Sequence, residues 1–372
     1  MSRLPCAPDH RDASTRQLLR VVRQATARPH AQITSWRRRP LEHRIENLTT
    51  SGLDRVDGTL DDGTAWSVVV KELRPVSASP AWAEVPEEDR SAVMTALDWE
   101  DEPRIYRSAL AELLPNGLRM PLVHAIDRGD DRWTIWMEDV ADVTPWNLDR
   151  YHRTAASLGR LAARWPDRTA TTTLGIGNRD IAPMFFGKIA HVDLVLQRDD
   201  KFWQQPSVAT VVDANHRCDL FRLAELMPAL LGRLAEVPTA LCHGDATPDN
   251  FREPAAGGPI VALDWSYGSV GPVGSDLGQL LAGRFESGAA RLEDVPAIAR
   301  TVADGFSEGR VDVRPELVEL AWATYLAIRS VFSALVIDHR FDLDETGRHE
   351  LLVGRAAVAR FGLDLALRHA TS

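Results

Sequence analysis

Cysteine is scarce in this 372-residue chain, which has only Cys6, Cys218 and Cys242. Three cysteines are too few for a scaffold held together by disulfides, and the sequence has neither the paired cysteines nor the HExxH motif typical of zinc sites. No run of about 18 apolar residues occurs, and the first residues lack the apolar region of an export signal. These absences predict a cytoplasmic protein without a membrane-spanning segment.

Lysine is equally scarce, because Lys71, Lys188 and Lys201 are the only lysines among 43 basic residues. Where arginine meets almost every need for positive charge, a retained lysine indicates a role that the planar guanidinium cannot fill, such as a compact ammonium contact to phosphate. Lys71 ends an apolar, strand-like run and is therefore a candidate phosphate-binding residue. A surface lysine at a strand end is the alternative interpretation.

Positive charge is also in deficit, since 53 acidic residues give a formal net charge of −10. A general nucleic-acid binder needs a surplus of basic residues against the phosphate backbone, so we expect no nucleic-acid partner. The acidic balance slightly favours a cationic ligand.

The order of periodic segments predicts an α+β fold with two lobes of unequal size. Residues 1–30 are expected to form an N-terminal helical extension. Residues 31–140 alternate short β-rich stretches with turns, which predicts a small β-rich N-lobe. Residues 141–372 show mainly helical spacing of their apolar residues, which predicts a larger, mainly helical C-lobe.

Individual elements follow from the same pattern. A helix is expected over 14–27, short strands within 33–71, and helical segments over 91–114, where Pro103 opens a second one at its first turn. Two more strands are expected at 122–126 and 133–137. The predicted C-lobe helices are 151–165, 221–235, 276–283 and 316–336.

The segment His243–Asn250 reads H-G-D-x-x-x-x-N and is rich in turn-forming residues. After a short strand and a turn, a second short strand is expected over Ile260–Leu263, followed directly by Asp264. Such a hairpin can bring Asp245, Asn250 and Asp264 together. Phosphoryl transfer needs one carboxylate to orient the attacking hydroxyl and accept its proton, and hard oxygen ligands to hold magnesium. Turn capping by Asp245 and Asn250 is the alternative.

These motifs make the sequence resemble the aminoglycoside phosphotransferase and choline kinase-like family, small-molecule kinases with a bilobal protein-kinase-like fold. The resemblance covers roughly residues 33–340. It implies an N-lobe that binds ATP and a C-lobe with the catalytic and acceptor-binding groups. It further implies that Asp245 is the catalytic carboxylate and that Asn250 and Asp264 bind Mg²⁺.

The resemblance also assigns supporting residues. His243 and Asp276, the latter in GPVGSDLGQL, would support the catalytic loop, although a helix cap is an equal alternative for Asp276. Lys71 would contact the ATP phosphates from its strand. A helix carboxylate holds such a lysine in place, and Glu102 in WEDEPRIYRSAL fits best, with two rivals, Glu100 and Glu112.

Two further segments would bind the nucleotide. NLTTSG resembles the loop that covers the phosphates, so Thr49, Thr50 and Ser51 are candidate donors of hydroxyl or backbone N–H groups, although an ordinary hairpin turn is equally compatible with this sequence. The segment Glu138 to Val140 ends the last predicted N-lobe strand, where a kinase hinge would offer free backbone groups to adenine. We expect Lys71 and the three oxygen-bearing side chains of the motif to converge on one triphosphate.

Competing motifs are weaker. Gly305–Gly309 matches the G-x-S-x-G elbow of hydrolases, but helical spacing precedes the serine where a strand is required. Gly175–Gly177 lacks the third glycine of a dinucleotide fingerprint, and no lysine lies in a P-loop motif. A catalytically inactive, kinase-like binding protein is a further alternative, which the presence of all four core groups disfavours.

The acceptor is expected to be a hydroxylated small molecule, such as an aminoglycoside-like antibiotic or another metabolite, with a slight preference for a cationic one. The alternative is a Ser or Thr hydroxyl of a biosynthetic precursor peptide, since the fold alone does not select the acceptor. Residues 166–220 are the expected wall of the acceptor pocket or, alternatively, helical core. Their aromatic residues are Phe185, Phe186, Phe202 and Trp203.

Overall fold

The computed structural model of the protein describes residues 10–41, 47–179, 181–286, 294–309, 311–337 and 343–371. The chain divides into two compact units. The sheet unit contains the described residues of Met1–Val85, Leu97–Pro103 and Pro121–Ala141, and the helical unit contains those of Pro86–Ala96, Arg104–Met120 and Asp142–Ser372. A small β-rich part and a larger helical part confirm the predicted α+β fold.

The described residues form strands and helices throughout. The strands are β1 (Ile33–Pro40), β2 (Thr50–Leu60), β3 (Ala65–Leu73), β4 (Leu118–Arg119), β5 (Val123–Arg128), β6 (Trp133–Glu138), β7 (Thr239–Cys242), β8 (Phe251–Arg252), β9 (Ile260–Ala262) and β10 (Ser269–Pro272). The helices before residue 200 are α1 (His10–Ala25), α2 (Arg90–Ala96), α3 (Asp101–Arg107), α4 (Leu110–Leu113), α5 (Leu148–Arg164), α6 (Asp167–Leu174), α7 (Ala182–Lys188) and α8 (Leu194–Arg198). The later ones are α9 (Asp200–Gln204), α10 (Pro206–Ala209), α11 (His216–Arg233), α12 (Asp276–Glu286), α13 (Val295–Glu308), α14 (Pro315–Leu326) and α15 (Glu345–Ala370).

Two π-helical turns interrupt the helical unit, one at Ile189–Asp193 after α7 and one at Ala327–Val331 after α14. The predicted C-lobe helices correspond to α5, α11, α12 and α14, with α14 giving way to the second π-helical turn. Within the described ranges, no helix is both long and apolar enough to cross a membrane.

The sheet unit is built on one antiparallel sheet with the strand order β1-β2-β3-β6-β5. Alternation along β3 places Val68 and Val70 on one face and Lys71 on the other. The valine face packs against α1, whose Leu18 and Val22 lie one helical turn apart. Helix α1 therefore covers one face of the sheet, and the opposite face carries Lys71.

The helical pattern over 91–114 forms three short helices, α2, α3 and α4. A turn after α2 is fixed by the Asp98 carboxylate, which accepts the Glu100 N–H at 3.0 Å. Pro103 lies in the first turn of α3, where a missing N–H costs nothing. Ser108 then accepts the Leu110 N–H through its hydroxyl, which restarts the helix as α4. Local side-chain bonds thus break one periodic pattern into pieces.

The helical unit carries two small sheets that frame the predicted motif. Strands β8 and β9 form the expected antiparallel hairpin, in which Phe251 pairs with Ala262, and β4 extends it in parallel beside β9. Strands β7 and β10 pair antiparallel, from Cys242 opposite Ser269 onward. Because His243 follows β7 directly, both sheets fix the ends of the motif.

The alternative motif G-x-S-x-G begins in the last turn of α13 and ends at Gly309, one residue beyond the helix. Ser307 donates its hydroxyl hydrogen to the carbonyl of Ala303 one turn earlier. The strand that a nucleophile elbow requires is absent from this described segment, which confirms the predicted helical spacing before the serine.

Candidate active site

Asp276, the first residue of α12, binds the backbone at the start of the segment His243–Asn250. Its two carboxylate oxygens accept the backbone N–H groups of His243 and Gly244, both at 2.8 Å. Burial raises the pKa of Asp276, while these two N–H groups and the nearby His243 ring act in the opposite direction. The structure therefore places Asp276 in contact with the loop, as a loop-supporting role requires.

Gly244 brings the loop close to the turn after Asp264. Its φ is +78°, in the left-handed region, and a Cβ at this position would lie 2.1 Å from the carbonyl oxygen of Tyr267. Only glycine satisfies both the backbone conformation and this close approach. The second residue of H-G-D is thus fixed by packing.

The carboxylate of Asp245 is held by three side-chain donors. Its Oδ1 accepts from Gln279 Nε2 at 2.6 Å and from Arg329 Nη2 at 2.7 Å, and its Oδ2 accepts from Asn250 Nδ2 at 2.9 Å. The Asp245 side chain remains 21% exposed. A fixed carboxylate that still reaches solvent can orient an incoming hydroxyl.

Asn250 is oriented by the same loop. Its Nδ2 donates to the Asp245 carbonyl oxygen at 2.8 Å as well as to the carboxylate, so its Oδ1 is directed away from Asp245. Its own carbonyl accepts the Leu263 N–H at 2.8 Å, which ties it to the residue before Asp264. The role of Asn250 as a metal ligand stays a prediction.

Asp264 follows β9 in a strained conformation. Its φ is +52° and ψ +72°, in the left-handed region, where a residue other than glycine costs of order 1–3 kcal/mol. Its Oδ1 accepts the Ser266 N–H at 3.4 Å. No group of three or more His, Cys, Asp or Glu residues in the described ranges could hold a metal ion. Asn250 and Asp264 fit Mg²⁺ by the chemistry of their oxygens, because that ion takes few protein ligands.

His243 links the loop to the strand before Asp264. Its ring is fully buried, and Nε2 lies 2.8 Å from the Leu263 carbonyl oxygen. The ring packs against Phe251 and Trp265, with centroids 5.2 and 4.7 Å away. This position suits the supporting role that was predicted for His243.

In the sheet unit, Lys71 and Glu102 form a buried ion pair. Lys71 Nζ lies 2.8 Å from Glu102 Oε2, with side chains 5% and 2% exposed. The rival Glu100 pairs with Arg128 at 2.9 Å, and the rival Glu112 is exposed. Glu102 is therefore the carboxylate that the structure brings to Lys71, and their role toward a nucleotide stays a prediction.

The predicted phosphate-covering loop is shorter than expected. Thr50 and Ser51 belong to β2, so their assignment to the loop was wrong: β2 pairs with β3 from Thr50 onward, through a bulge before Gly52. Thr49 remains outside the strand, but its hydroxyl and its N–H both donate to Asn47 Oδ1. The Ser51 hydroxyl donates to the Glu72 carbonyl oxygen. These donors already have partners within the sheet unit.

The hinge prediction needs one correction. The Glu138 N–H donates to the Leu122 carbonyl oxygen at 2.8 Å, so it is not free for adenine. The Glu138 carboxylate in turn accepts the Leu122 N–H at 3.0 Å. Val140 lies half-buried just beyond the strand, and its role stays a prediction.

Sequence reasoning missed Gln279 and Arg329. Gln279 lies three residues after Asp276 on α12, hence on the same helix face, and this spacing could have revealed it. Arg329 is 84 residues from Asp245 and is one of 40 arginines, so no local pattern marks it.

Arg329 rests on two aromatic rings. Its guanidinium carbon lies 3.9 Å from the Phe185 centroid and 5.5 Å from the Tyr267 centroid. Burial raises the pKa of the Tyr267 hydroxyl to about 12, so this ring is neutral at physiological pH.

The aromatic residues of segment 166–220 therefore divide between the site and the core. Phe185 lies at the site through Arg329. Phe202 and Trp203 pack instead against a core cluster that includes Val208 and Leu335. Phe186 is half-buried on α7.

The helical unit thus assembles an oriented carboxylate beside amide and carboxylate oxygens, an arrangement suited to moving a phosphoryl group. The chain belongs to the phosphotransferase enzyme family, whose family model matches residues 94–315. The match includes the segment His243–Asn250, Asp264 and Asp276. It confirms the family resemblance and the prediction of an enzyme, a phosphotransferase of the kinase type. None of the curated proteins matches the chain.

Solved structures support the fold. A spectinomycin phosphotransferase in complex with ADP and spectinomycin is 10% identical, with 94% of this chain and 98% of that chain covered and a TM-score of 0.54. A choline kinase from Streptococcus pneumoniae is 14% identical, with 96% and 99% covered and a TM-score of 0.49. An amicoumacin kinase in complex with AMP-PNP and Ca²⁺ is 13% identical, with 97% and 94% covered and a TM-score of 0.46. The first of these similarities confirms the protein-kinase-like fold.

Proposed function

We propose that the protein transfers the γ-phosphoryl group of ATP to a hydroxyl of a small molecule. The observation that carries this proposal is the Asp245 carboxylate, which Arg329, Gln279 and Asn250 hold in place while part of it stays exposed. The structure of spectinomycin phosphotransferase, which shares the fold, contains a nucleotide and a small molecule. Both classes of ligand are therefore the first to test.

Asp245 has the central role in this proposal. Its carboxylate hydrogen-bonds the acceptor hydroxyl, directs the oxygen toward the γ-phosphorus and takes the hydroxyl proton as the new P–O bond forms. The bond between the γ-phosphorus and the β,γ-bridging oxygen breaks at the same time, and ADP leaves with that oxygen. The partners on Oδ1 and Oδ2 keep the carboxylate from turning away. Asp276 and Gly244 fix the backbone that carries it.

Asn250 and Asp264 would hold magnesium through their side-chain oxygens. When bound, this ion neutralises the negative charge of the phosphates and of the group in transfer. Asp264 lies two residues after the end of β9, next to Leu263, whose N–H binds the Asn250 carbonyl oxygen, and this link supports a shared role for Asn250 and Asp264.

Lys71 would contact the phosphates through its ammonium group, and Glu102 would keep that group in place. The buried pair supports this assignment because an ammonium so far from solvent needs a fixed negative partner. Its compact charge also suits a phosphate oxygen.

The test is ATP turnover with magnesium and a library of hydroxylated small molecules, with Ser- and Thr-containing peptides in parallel. Mass spectrometry then detects the gain of one phosphate. We expect a small-molecule product, and Asp245→Ala should lower kcat by about 10²–10⁴-fold with little change in ATP affinity.

The matched control is Asp249→Ala, because Asp249 lies in the same loop and is exposed. Its activity should stay close to that of the unaltered protein. Turnover that survives Asp245→Ala would refute the role of this carboxylate, and phosphorylation of peptides alone would refute the small-molecule acceptor.

A further inference from the structure

We propose that Arg329 is a positioning residue that sets the orientation of the Asp245 carboxylate. This inference rests on the proposed function, since it concerns the same carboxylate. Arg329 Nη2 donates to Asp245 Oδ1 at 2.7 Å, from a part of the chain 84 residues away. The Arg329 side chain is only 12% exposed, so this contact is made at the edge of the protein interior.

The three donors fix the plane of the carboxylate. Asn250 binds Oδ2 from within the loop, and Gln279 and Arg329 bind Oδ1 from α12 and from the second π-helical turn. The Arg329 bond is the only one of these three between opposite charges, and charge-assisted bonds are the strongest of this kind. If Arg329 were lost, Gln279 would be the one of these three donors still bound to Oδ1. The carboxylate could then rotate.

Two aromatic rings fix the position of the guanidinium. It lies over the face of Phe185, at 3.9 Å, and near Tyr267. A cation over an aromatic face is attracted to the ring, and arginine adds a flat stacking contact that lysine lacks. The rings belong to α7 and to the turn after Asp264, and their centroids are 6.1 Å apart, so two elements of the helical unit hold the guanidinium.

The π-helical turn Ala327–Val331 fixes the backbone beneath Arg329. The residues on either side of it, Ile328 and Ser330, are buried, and the Ser330 hydroxyl donates to the Glu286 carboxylate. Such turns occur often at functional sites. Arg329 is the central residue of this one.

The pair is poorly explained as a device for stability alone. Arg329 Nη1 is buried without a hydrogen-bond partner among the described residues, and an unsatisfied buried donor is costly. Buried ion pairs are in general weak evidence for stability. A role in orienting Asp245 explains why the Arg329–Asp245 contact is kept although burying Arg329 Nη1 is costly.

The test is acceptor-independent ATP hydrolysis, in which water replaces the acceptor hydroxyl. We expect Arg329→Ala to lower kcat by about 10–100-fold, as small misplacements of a reacting group do, with KM for ATP nearly unchanged. Arg329→Lys should recover only part of kcat, since lysine keeps the charge and loses the planar stack. Guanidinium chloride at sub-denaturing concentration should restore activity to Arg329→Ala by occupying the vacated space.

Two controls complete the design. Arg355→Ala removes a guanidinium that binds the Glu286 backbone carbonyl, and neither its activity nor that of Asp245→Ala should respond to guanidinium. Sodium chloride at equal ionic strength should rescue nothing. If Arg329→Ala fails to fold, as judged by its unfolding midpoint, Phe185→Leu replaces it, and its kcat should fall while KM for ATP holds.

The outcomes separate the two proposals. Arg329→Ala with unchanged kcat, a loss in KM alone, or no response to guanidinium would overturn the positioning role while hydrolysis by the unaltered protein still stands. Hydrolysis that is equal in the unaltered protein and in Asp245→Ala would instead refute the proposed function.

Discussion

Gly244 shows how a single residue can set the geometry of the site. Its positive φ alone would tolerate asparagine or aspartate at some cost, but the carbonyl oxygen of Tyr267 occupies the place of a Cβ. Gly257 has a similar φ of +72°, with nothing within 4 Å of its Cβ position. A side chain at Gly257 would therefore cause backbone strain alone, whereas one at Gly244 would cause both backbone strain and a steric clash.

We expect Gly244→Ala to reduce both stability and turnover, because the loop that carries Asp245 must move away from Tyr267. The matched change Gly257→Ala introduces only the left-handed strain, about 1–2 kcal/mol, and should leave kcat unchanged. Urea unfolding gives the stability of each variant, and ATP hydrolysis gives the activity. Equal losses in the two variants would show that the contact with Tyr267 is unimportant.

Residues of the site could be predicted from the sequence where they share a local motif. Asp245 and Asn250 lie in one loop, and Asp264 follows β9, the second strand of the hairpin after that loop, so their spacing in the sequence indicated them. Arg329 could not be predicted, since only tertiary packing on Phe185 brings it to Asp245. Tertiary packing also distinguishes Phe185, which contacts Arg329, from Phe202 and Trp203, which pack in a core cluster.

Helices and strands could be predicted from the spacing of apolar residues where no local side-chain-to-backbone hydrogen bond interrupts them. Helix α1 and strand β3 have clear patterns, whereas the stretch 91–114 is broken where Asp98 and Ser108 bind nearby backbone groups. Polar side chains that compete for backbone N–H groups end helices without changing the apolar spacing. The pattern therefore indicated helical character but not the three separate helices.

The start of α11 contains a buried histidine whose charge is coupled to folding. His216 is 2% exposed, and burial lowers its pKa, with Arg360 of α15 adding to the effect. Because the pKa of the folded state lies below the ordinary value near 6.5, protonation favours the unfolded chain. The contribution to stability is complete above that value and is lost as the pH falls through it.

We therefore expect His216→Gln to flatten the dependence of unfolding free energy on pH below about 6.5, because the substitution removes a proton that only the unfolded chain binds readily. Above about pH 7.5 the two slopes should coincide. The control His30→Gln changes an exposed histidine and should leave the curve unaltered. Denaturant unfolding at several pH values measures this, and an unchanged acid slope in His216→Gln would contradict it.

Across the whole molecule, arginine and lysine have different roles, which follow from the chemistry of their side chains. Arginines form bidentate or multiple contacts, as Arg55 does with Asp139 and Arg38 does with Asp54 and Glu72. Of the three lysines only Lys71 is buried, while the other two are exposed. The compositional argument for Lys71 could be made from the sequence, because the scarcity of lysine is a property of the entire chain.

The stability of the whole protein should respond to nucleotide and metal together. A ligand that binds only the folded state stabilises it by about 2.7 kcal/mol at 100 times its Kd. We expect AMP-PNP with MgCl₂ to raise the unfolding midpoint more than AMP-PNP with EDTA does. Asp264→Asn should remove this metal-dependent part, since asparagine tolerates the left-handed backbone but lacks the charge.

A second readout is the thiol of Cys242, which ends β7 directly before the loop. Burial raises its pKa, so its labelling at neutral pH requires the helical unit to open. In a variant with Cys6 and Cys218 replaced by serine, magnesium and AMP-PNP should slow labelling, and Asp264→Asn should cancel the effect of magnesium. Asp249→Asn provides the matched control and should retain it. Protection by magnesium that persists in Asp264→Asn would remove this carboxylate from the metal site.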